Sequence, residues 1–292
     1  MGYITVGKEN SANIDLYYED VGSGQPVVLI HGYPLDGHSW EKQTRPLVDT
    51  GYRVISYDRR GFGQSSQPVT GHDYDTYAAD LKELLEQLEV SDSVLAGFSM
   101  GTGEVARYLG TYGSDRVEKA VMFGAIPPFL LKTDDNPEGV DGSVFDGIKE
   151  QAIKDRYVWF KQFFDDFYNV DKFAPDRISD QAWQASFNVA CMMSAYASVA
   201  CVDTWLTDFR DDLPKIDVPT LVLHGTEDRI LPFDSTAKRL PDLIDDVKLV
   251  PVEAGPHNIG WTHPEVVNPI FLAYLESGLA AVDEARAQAA SA

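Results

Sequence analysis

The sequence predicts a mostly parallel, doubly wound α/β sheet interrupted by a helical cap, and three observations carry that expectation. Short apolar runs at 27–30, 53–57, 93–96 and 117–123 alternate with helical patterns, the rhythm of a parallel sheet covered on both faces. From Phe129 to about Leu213 that rhythm stops, and the chain reads as helical and aromatic-rich, with Trp159, Phe160, Phe163, Phe164, Phe167 and Trp183 among others. Strand and helix then resume at 220–224 and 247–252, with a final helix around 263–277. The expected organisation is a core over 1–125, a helical cap over 126–215, the rest of the core over 216–278, and an Ala-rich, polar tail over 279–292 that reads as a frayed helix.

Each element has a local reason. Residues 3–6 and 14–19 read as paired N-terminal strands, the second alternating in character, and Val21 to Pro26 as a turn rich in Gly. The run Val27-Val28-Leu29-Ile30 has no polar member, as expected of a strand buried on both faces. A helix is expected over 40–48 and a second buried strand over 53–57. Asp58-Arg59-Arg60-Gly61-Phe62-Gly63-Gln64-Ser65 is a loop whose glycines do not open a helix, so it reads as structural and not as a phosphate cradle. Tyr77, Leu81, Leu84, Leu85 and Leu88 fall at helical spacing, with Asp75 or Thr76 as the N-cap.

Composition narrows the class of function. The 292 residues carry 46 acidic against 24 basic side chains, a formal charge of −22 that repels phosphate backbones and argues against nucleic-acid binding. Clusters such as Asp134-Asp135 and Asp211-Asp212 read as solvated surface. No apolar stretch reaches about 18 residues, so no membrane span is expected. The first residues lack a basic segment followed by an apolar one, so no cleaved secretion signal is expected either. Cys191 and Cys201 are the only cysteines, which suits a reducing, cytoplasmic compartment and a reading of both as buried small hydrophobes. Six histidines without C-x-x-C or H-E-x-x-H spacing give no expectation of a metal.

The chemistry centres on Gly97-Phe98-Ser99-Met100-Gly101, which has an apolar strand run before it and a helical pattern from 102 to 109 after it. Strand, sharp turn and helix is the context of a nucleophile elbow, where the backbone lifts the serine oxygen above the sheet and flanking glycines avoid collisions. An acid and a base should follow later in the chain, in that order. Asp228, in the loop after the run 220–224, is the expected acid, with Glu227 as its competitor; Asp234 reads as a helix cap. His257, directly after the run 247–252, is the expected base, since strand C-termini gather on the edge of the sheet that carries Ser99. His31 and His224 precede glycines at strand ends and read as packing, His38 and His72 as loop residues, and His263 as structural or surface. Two backbone N–H groups should face the developing alkoxide. Met100 follows the nucleophile and supplies one; Tyr33 supplies the other, because Pro34 has no N–H and biases Tyr33 towards extended geometry.

These residues together resemble the cofactor-free haloperoxidases, or perhydrolases, of the α/β-hydrolase superfamily, a group close to arylesterases and γ-lactamases. The likeness runs over nearly the whole chain. It includes 15–20, Pro26 to Leu35 with His31-Gly32-Tyr33-Pro34, Tyr57 to Gly63, Gly97 to Gly101 with Gly103 to Tyr108, Asp134 to Gly139, and Gly255-Pro256-His257. The resemblance implies an α/β-hydrolase fold and acyl transfer without haem, vanadium or any other cofactor. Ser99 takes an acyl group from an ester, carboxylic acid or lactam, and water or hydrogen peroxide removes it as an acid or a peracid that oxidises halide. Pro34 matches the haloperoxidase members, while Gly32-Tyr33-Pro34-Leu35 is shared with γ-lactamase-like members, so lactam hydrolysis stands as an alternative. A non-catalytic small-molecule receptor on the same fold is the alternative of another class. From position, Ile126, Leu130, Trp205, Ile230, Leu231 and Phe233 are expected to line the substrate pocket with Tyr33. Relatives of this kind often assemble symmetrically, which makes a homo-oligomer an expectation by analogy.

Overall fold

The structure, a computed structural model, describes residues 1–289. Its strands are β1 (Gly2–Glu9), β2 (Ala12–Gly22), β3 (Pro26–Ile30), β4 (Arg53–Tyr57), β5 (Ser93–Phe98), β6 (Val117–Phe123), β7 (Thr220–Gly225) and β8 (Val247–Val252). They form one sheet in the order β1-β2-β4-β3-β5-β6-β7-β8. β1 pairs antiparallel with β2, and β2 antiparallel with β4; every pairing beyond is parallel. The apolar runs are the central strands because both of their faces are covered: all six residues of β5 are buried, as are Val27 to Ile30 of β3. β5, which leads into Ser99, sits between β3 and β6 in the middle of the sheet.

Helices α1 (Glu41–Asp49), α2 (Tyr74–Gln87) and α3 (Met100–Tyr112) connect the first parallel strands. Between β6 and β7 the chain leaves the sheet and builds α4 (Gly142–Phe167), α5 (Val170–Phe173), α6 (Asp180–Met192) and α7 (Ala195–Thr204). This is the helical cap. Its start is a short loop, not a helix, with a single parallel bridge between Leu131 and Val140. Asn136 is buried there and its Nδ2 donates to the Phe129 and Leu131 carbonyls, which closes the loop on itself. The chain then returns through β7 and β8 to α8 (Ile259–Thr262), α9 (Pro264–Ser277) and α10 (Val282–Ala289). Among the described residues no single helix is long and apolar enough to cross a membrane.

Several boundaries differ from expectation for identifiable reasons. β2 runs on to Gly22 because its end pairs with β4, so the turn expected at 21–26 is shorter. The α2 cap is Asp73, not Asp75 or Thr76; Asp73 has the extended backbone a cap needs, and its carboxylate accepts from the Thr76 N–H at 2.8 Å. Asp234 caps nothing. It lies inside a 3-10 turn (Phe233–Ser235) and pairs with Lys238. The tail is not frayed over the described part, since α10 packs on α9 and buries Val282 and Ala285; residues 290–292 of the expected tail lie outside the described residues. Cys201 is buried as expected, but Cys191 is only half-buried on α6.

Candidate active site

Ser99 joins β5 to α3 with φ 54° and ψ −119°, a left-handed backbone that a serine adopts only at a cost of about 1–3 kcal/mol. The two flanking glycines make the turn physically feasible. A Cβ on Gly97 would stand 2.5 Å from the Gly101 carbonyl oxygen, and one on Gly101 would stand 2.3 Å from the Ile30 carbonyl oxygen. The turn is fixed by the Ser99 N–H donating to Phe123 O at 2.8 Å and by Thr102 Oγ1 donating to Ser99 O at 2.6 Å.

Ser99 Oγ lies 2.8 Å from Nε2 of His257, and His257 Nδ1 lies 2.7 Å from Oδ2 of Asp228. The structure therefore brings together the three side chains that stand 158 and 29 residues apart in the chain. His257 is fully buried, wedged between the rings of Phe98 and Phe167 with centroids 5.1 and 5.0 Å away. Phe167 reaches it from the cap, whose carbonyl at this residue also accepts the Asn258 N–H at 3.1 Å. Glu227 points away from the imidazole: its carboxylate pairs with Lys172, and Asn169 Nδ2 donates to its carbonyl at 3.0 Å.

Asp228 is held by four donors. Oδ1 accepts from the N–H groups of Ile230 and Leu231, both at 2.8 Å. Oδ2 accepts from His257 and lies 3.1 Å from Nε2 of His224. The His224 tautomer follows from its other nitrogen, which faces the Ala125 N–H at 3.0 Å and must carry the lone pair. Nε2 of His224 is thus an N–H, shared between Asp228 and the Leu231 carbonyl at 2.9 Å. Burial alone would raise the Asp228 carboxyl, but the His257 charge and the hydrogen bonds from both imidazoles outweigh it and hold the group well below the usual carboxylate range. His224 was expected only to pack. A tight turn in which the Asp228 N–H bonds to Gly225 O brings positions 224 and 228 together.

The remaining histidines are placed by other contacts. His38 belongs to a 3-10 turn (Gly37–Trp40) beside Asp36 and Glu19, and His72 is a buried loop residue bonded to Tyr77 and Pro68. His263 is buried at the start of α9 and bonds to Thr262, which corrects the surface half of the expectation for it.

Met100 opens α3, where N–H groups have no acceptor inside the helix. Tyr33 follows Gly32, which packs against the serine: a Cβ on Gly32 would lie 2.8 Å from Ser99 Cβ. The Tyr33 side chain is buried, its hydroxyl donating to Ser198 O of the cap at 3.0 Å. Met100 thus follows Ser99 directly in the chain, and Tyr33 follows the glycine packed on it.

Ser99 and Tyr33 open into a cavity of about 290 Å³ between sheet and cap. Ile126, Leu130, Trp205, Ile230 and Leu231 line it as expected, and Trp205 stands edge-on to Tyr33 with centroids 4.8 Å apart. Phe233 does not. Pro232 faces the cavity and the 3-10 turn after it carries Phe233 behind the wall, edge-on to His224 at 5.7 Å. Six apolar cap residues were not foreseen as lining: Val140, Val144, Phe145, Ile148, Trp159 and Phe163. The two charged members, Asp166 and Arg229, are committed to ion pairs, since Arg229 forks onto Asp171 at 2.7 and 3.0 Å and lies 3.7 Å from Asp166.

A parallel-dominated sheet with a helical cap, and a serine, an imidazole and a carboxylate in contact on its C-terminal edge, define the class: an enzyme with the α/β-hydrolase fold. Residues 25–264 match the family described as alpha/beta hydrolase fold. The chain is 61% identical to a Synechocystis sp. protein provisionally named a non-heme chloroperoxidase, over 94% of this chain and all of that one. It is 44% identical to the crystal structure of a bromoperoxidase from Bacillus anthracis, with a TM-score of 0.91 over 94% of this chain and 99% of the other. A bifunctional esterase/perhydrolase of Acinetobacter calcoaceticus is 35% identical over 95% of this chain and its own full length. The chain belongs to the non-heme haloperoxidase family of α/β-hydrolase-fold enzymes.

Proposed function

We propose that this enzyme is a serine hydrolase and perhydrolase that forms an acyl-enzyme at Ser99. The observation that carries the reading is the unbroken hydrogen-bond chain from Ser99 Oγ, which lines an apolar cavity, through His257 to Asp228. His257 Nε2 takes the Ser99 proton as Oγ attacks the acyl carbon, and the oxygen that gains charge is met by the Tyr33 and Met100 N–H groups. Asp228 keeps the proton of His257 on Nδ1 and balances the imidazolium. Collapse breaks the bond to the leaving group, which departs with the proton that His257 returns.

Water attacking the acyl-enzyme gives a carboxylic acid and free Ser99. Hydrogen peroxide attacking the same carbon gives a peracid, its proton passing to His257 and back to Ser99. The peracid then transfers one oxygen, with its proton, to bromide or chloride in solution, forming hypohalous acid and the parent carboxylate. The names of the Acinetobacter and Bacillus relatives support both branches.

The cavity walls support uncharged, apolar acyl groups, since its two charged residues already have partners. The cap, taken as 126–215, is the part that sets this preference. Two free thiols, Cys191 and Cys201, support a reducing cytoplasmic setting.

Ser99→Ala tests the reading. Hydrolysis of p-nitrophenyl acetate and bromide-dependent bromination of a dye with acetate and peroxide should both disappear; unchanged turnover of either would overturn it. A serine-directed fluorophosphonate should label the parent protein and not the variant, whereas an unlabelled parent would favour a receptor.

A further inference from the structure

His31 closes the strand that precedes the oxyanion loop, and both its ring nitrogens are occupied. The Arg59 N–H points at Nε2 from 3.0 Å, so that nitrogen must carry the lone pair. The proton is then on Nδ1, which lies 2.8 Å from the Gly32 carbonyl oxygen and donates to it. Burial, reinforced by the Arg59 charge, pushes the His31 pKa down to about 3. Such an imidazole neither gives nor takes a proton near neutral pH. What it can do is hold a peptide.

The carbonyl it holds belongs to the same peptide unit as the Tyr33 N–H. In a planar trans unit the C=O and N–H point in opposite directions, so fixing one aims the other. The Leu35 N–H bonds to the same oxygen at 3.1 Å, and two donors on one carbonyl define its plane.

His31 is itself tied through Arg59 to α3. Arg59 Nη2 donates to His31 O at 2.9 Å, and Arg59 Nε pairs with Glu104 Oε2 at 2.8 Å. The Tyr57 hydroxyl donates to the other oxygen of Glu104. Arg59 and Glu104 are 1% and 0% exposed, a costly burial for two charges that touch no reacting atom. Glu104 stands on α3, whose first residue is Met100. The ion pair therefore joins the segment that carries one oxyanion donor to the helix that carries the other.

We propose that His31 is a positioning residue for the oxyanion site: its Nδ1–H pins the Gly32–Tyr33 peptide so that the Tyr33 N–H faces the oxygen that gains charge at Ser99, and the Arg59–Glu104 pair keeps it in register with α3. This rests on the acyl-transfer reading above.

Two amide variants separate the nitrogens. In His31→Asn the amide nitrogen falls near the place of Nδ1 and still reaches Gly32 O; in His31→Gln the amide falls near Nε2 and leaves that carbonyl without its side-chain donor. For each, kcat and KM with p-nitrophenyl acetate are measured per active site titrated by fluorophosphonate, together with the affinity of a boronic acid that mimics the tetrahedral intermediate.

The expected result is a kcat about tenfold or more lower in His31→Gln with little change in KM, and a parallel loss of boronate affinity. That is less than the roughly 10²- to 10³-fold cost of deleting an oxyanion donor, because Leu35 still holds the carbonyl. His31→Asn should keep most of both. Equal losses in the two variants, or a His31→Gln variant with parent kcat per site, would overturn the proposal while leaving acyl transfer intact. A parent protein that is neither labelled nor active would instead remove the reading on which it rests. If His31→Gln fails to fold, Arg59→Lys, which loses the bond from Nη2 to His31 O, carries the same expectation in kcat and boronate affinity.

Discussion

Replacing Asp228 by asparagine probes the site at its most constrained point. Four N–H donors converge on the carboxylate, two on each oxygen. An amide has one acceptor and one donor, so in either orientation its NH₂ group must face two donors. Facing Ile230 and Leu231, it would leave two backbone N–H groups without an acceptor, at about 1–3 kcal/mol each. Facing the imidazoles costs less. His224 cannot change tautomer, because its Nδ1 accepts from Ala125, but its N–H can turn wholly to Leu231 O at 2.9 Å. His257 can change, placing its proton on Nε2 and accepting from the new amide on Nδ1. That tautomer points a proton at Ser99 Oγ and cannot accept one. The loss when an aspartate-to-asparagine change enforces the wrong tautomer is about 10⁴-fold in kcat, roughly 5.5 kcal/mol of barrier. KM should change little, since no group in the cavity wall is altered. The assay is initial-rate hydrolysis of p-nitrophenyl acetate alongside a thermal melt, which should fall by only a few degrees. A kcat within tenfold of the parent, in a variant with an intact melt, would refute the reasoning.

Trp205→Ala should open the cavity beside Tyr33 and raise the ratio of kcat/KM for p-nitrophenyl hexanoate over acetate by about tenfold or more, read from paired rate measurements. His38 gives a pH signature in stability. Its hydrogen bond to Asp36, helped by the charges of Asp36 and Glu19 against partial burial, pushes its pKa up to about 9. A raised folded-state pKa contributes fully below the unfolded value near 6.5 and is lost as pH rises through about 9. The side chain is 56% exposed, so the effect is screened to under about 1 kcal/mol; the Tm gap between the parent and His38→Gln should be present at pH 6 and absent at pH 10. With a carboxylic acid as acyl donor, peracid formation should track the protonated acid and drop about tenfold per pH unit above that acid's pKa, while ester hydrolysis should not follow that slope. Rate–pH profiles with the two donors, run on the same preparation, check this.

The fold was legible where burial dictates residue type. β3, β5 and β7 are buried along almost their whole length and carry the apolar runs 27–30, 94–96 and 221–223, which could be read without any partner in view. Ser99, Asp228 and His257 were legible because a strained turn needs its glycines and because the strand order fixes which loops meet. The cavity was less so. Val144, Phe145 and Ile148 are as apolar as the core around them, and helical periodicity does not say whether an inward face meets another helix or a void. Phe233 shows the same limit in the other direction: one 3-10 turn after Pro232 decides which side of the wall it occupies. The cap of α2 was misplaced because 73, 75 and 76 all carry cap-competent side chains, and backbone geometry alone selects Asp73.

Three buried histidines surround the reaction centre. His31, His224 and His257 are all 0% exposed, all lie at strand ends or just beyond, and all have both ring nitrogens engaged. Residue type and burial therefore do not distinguish them. Their partners do. Nε2 of His31 and Nδ1 of His224 accept from backbone N–H groups, those of Arg59 and Ala125, which never release a proton. Only His257 sets its accepting nitrogen against a hydroxyl, Ser99 Oγ, the group that would lose its proton in the proposed acyl transfer. Their three N–H groups are equally distinct in use: one on the Gly32 carbonyl, one between Asp228 and Leu231, and one on Asp228 alone. In the proposed acyl transfer one imidazole moves a proton while the other two, each with an N–H on a fixed acceptor, hold the peptide and the carboxylate on either side of it.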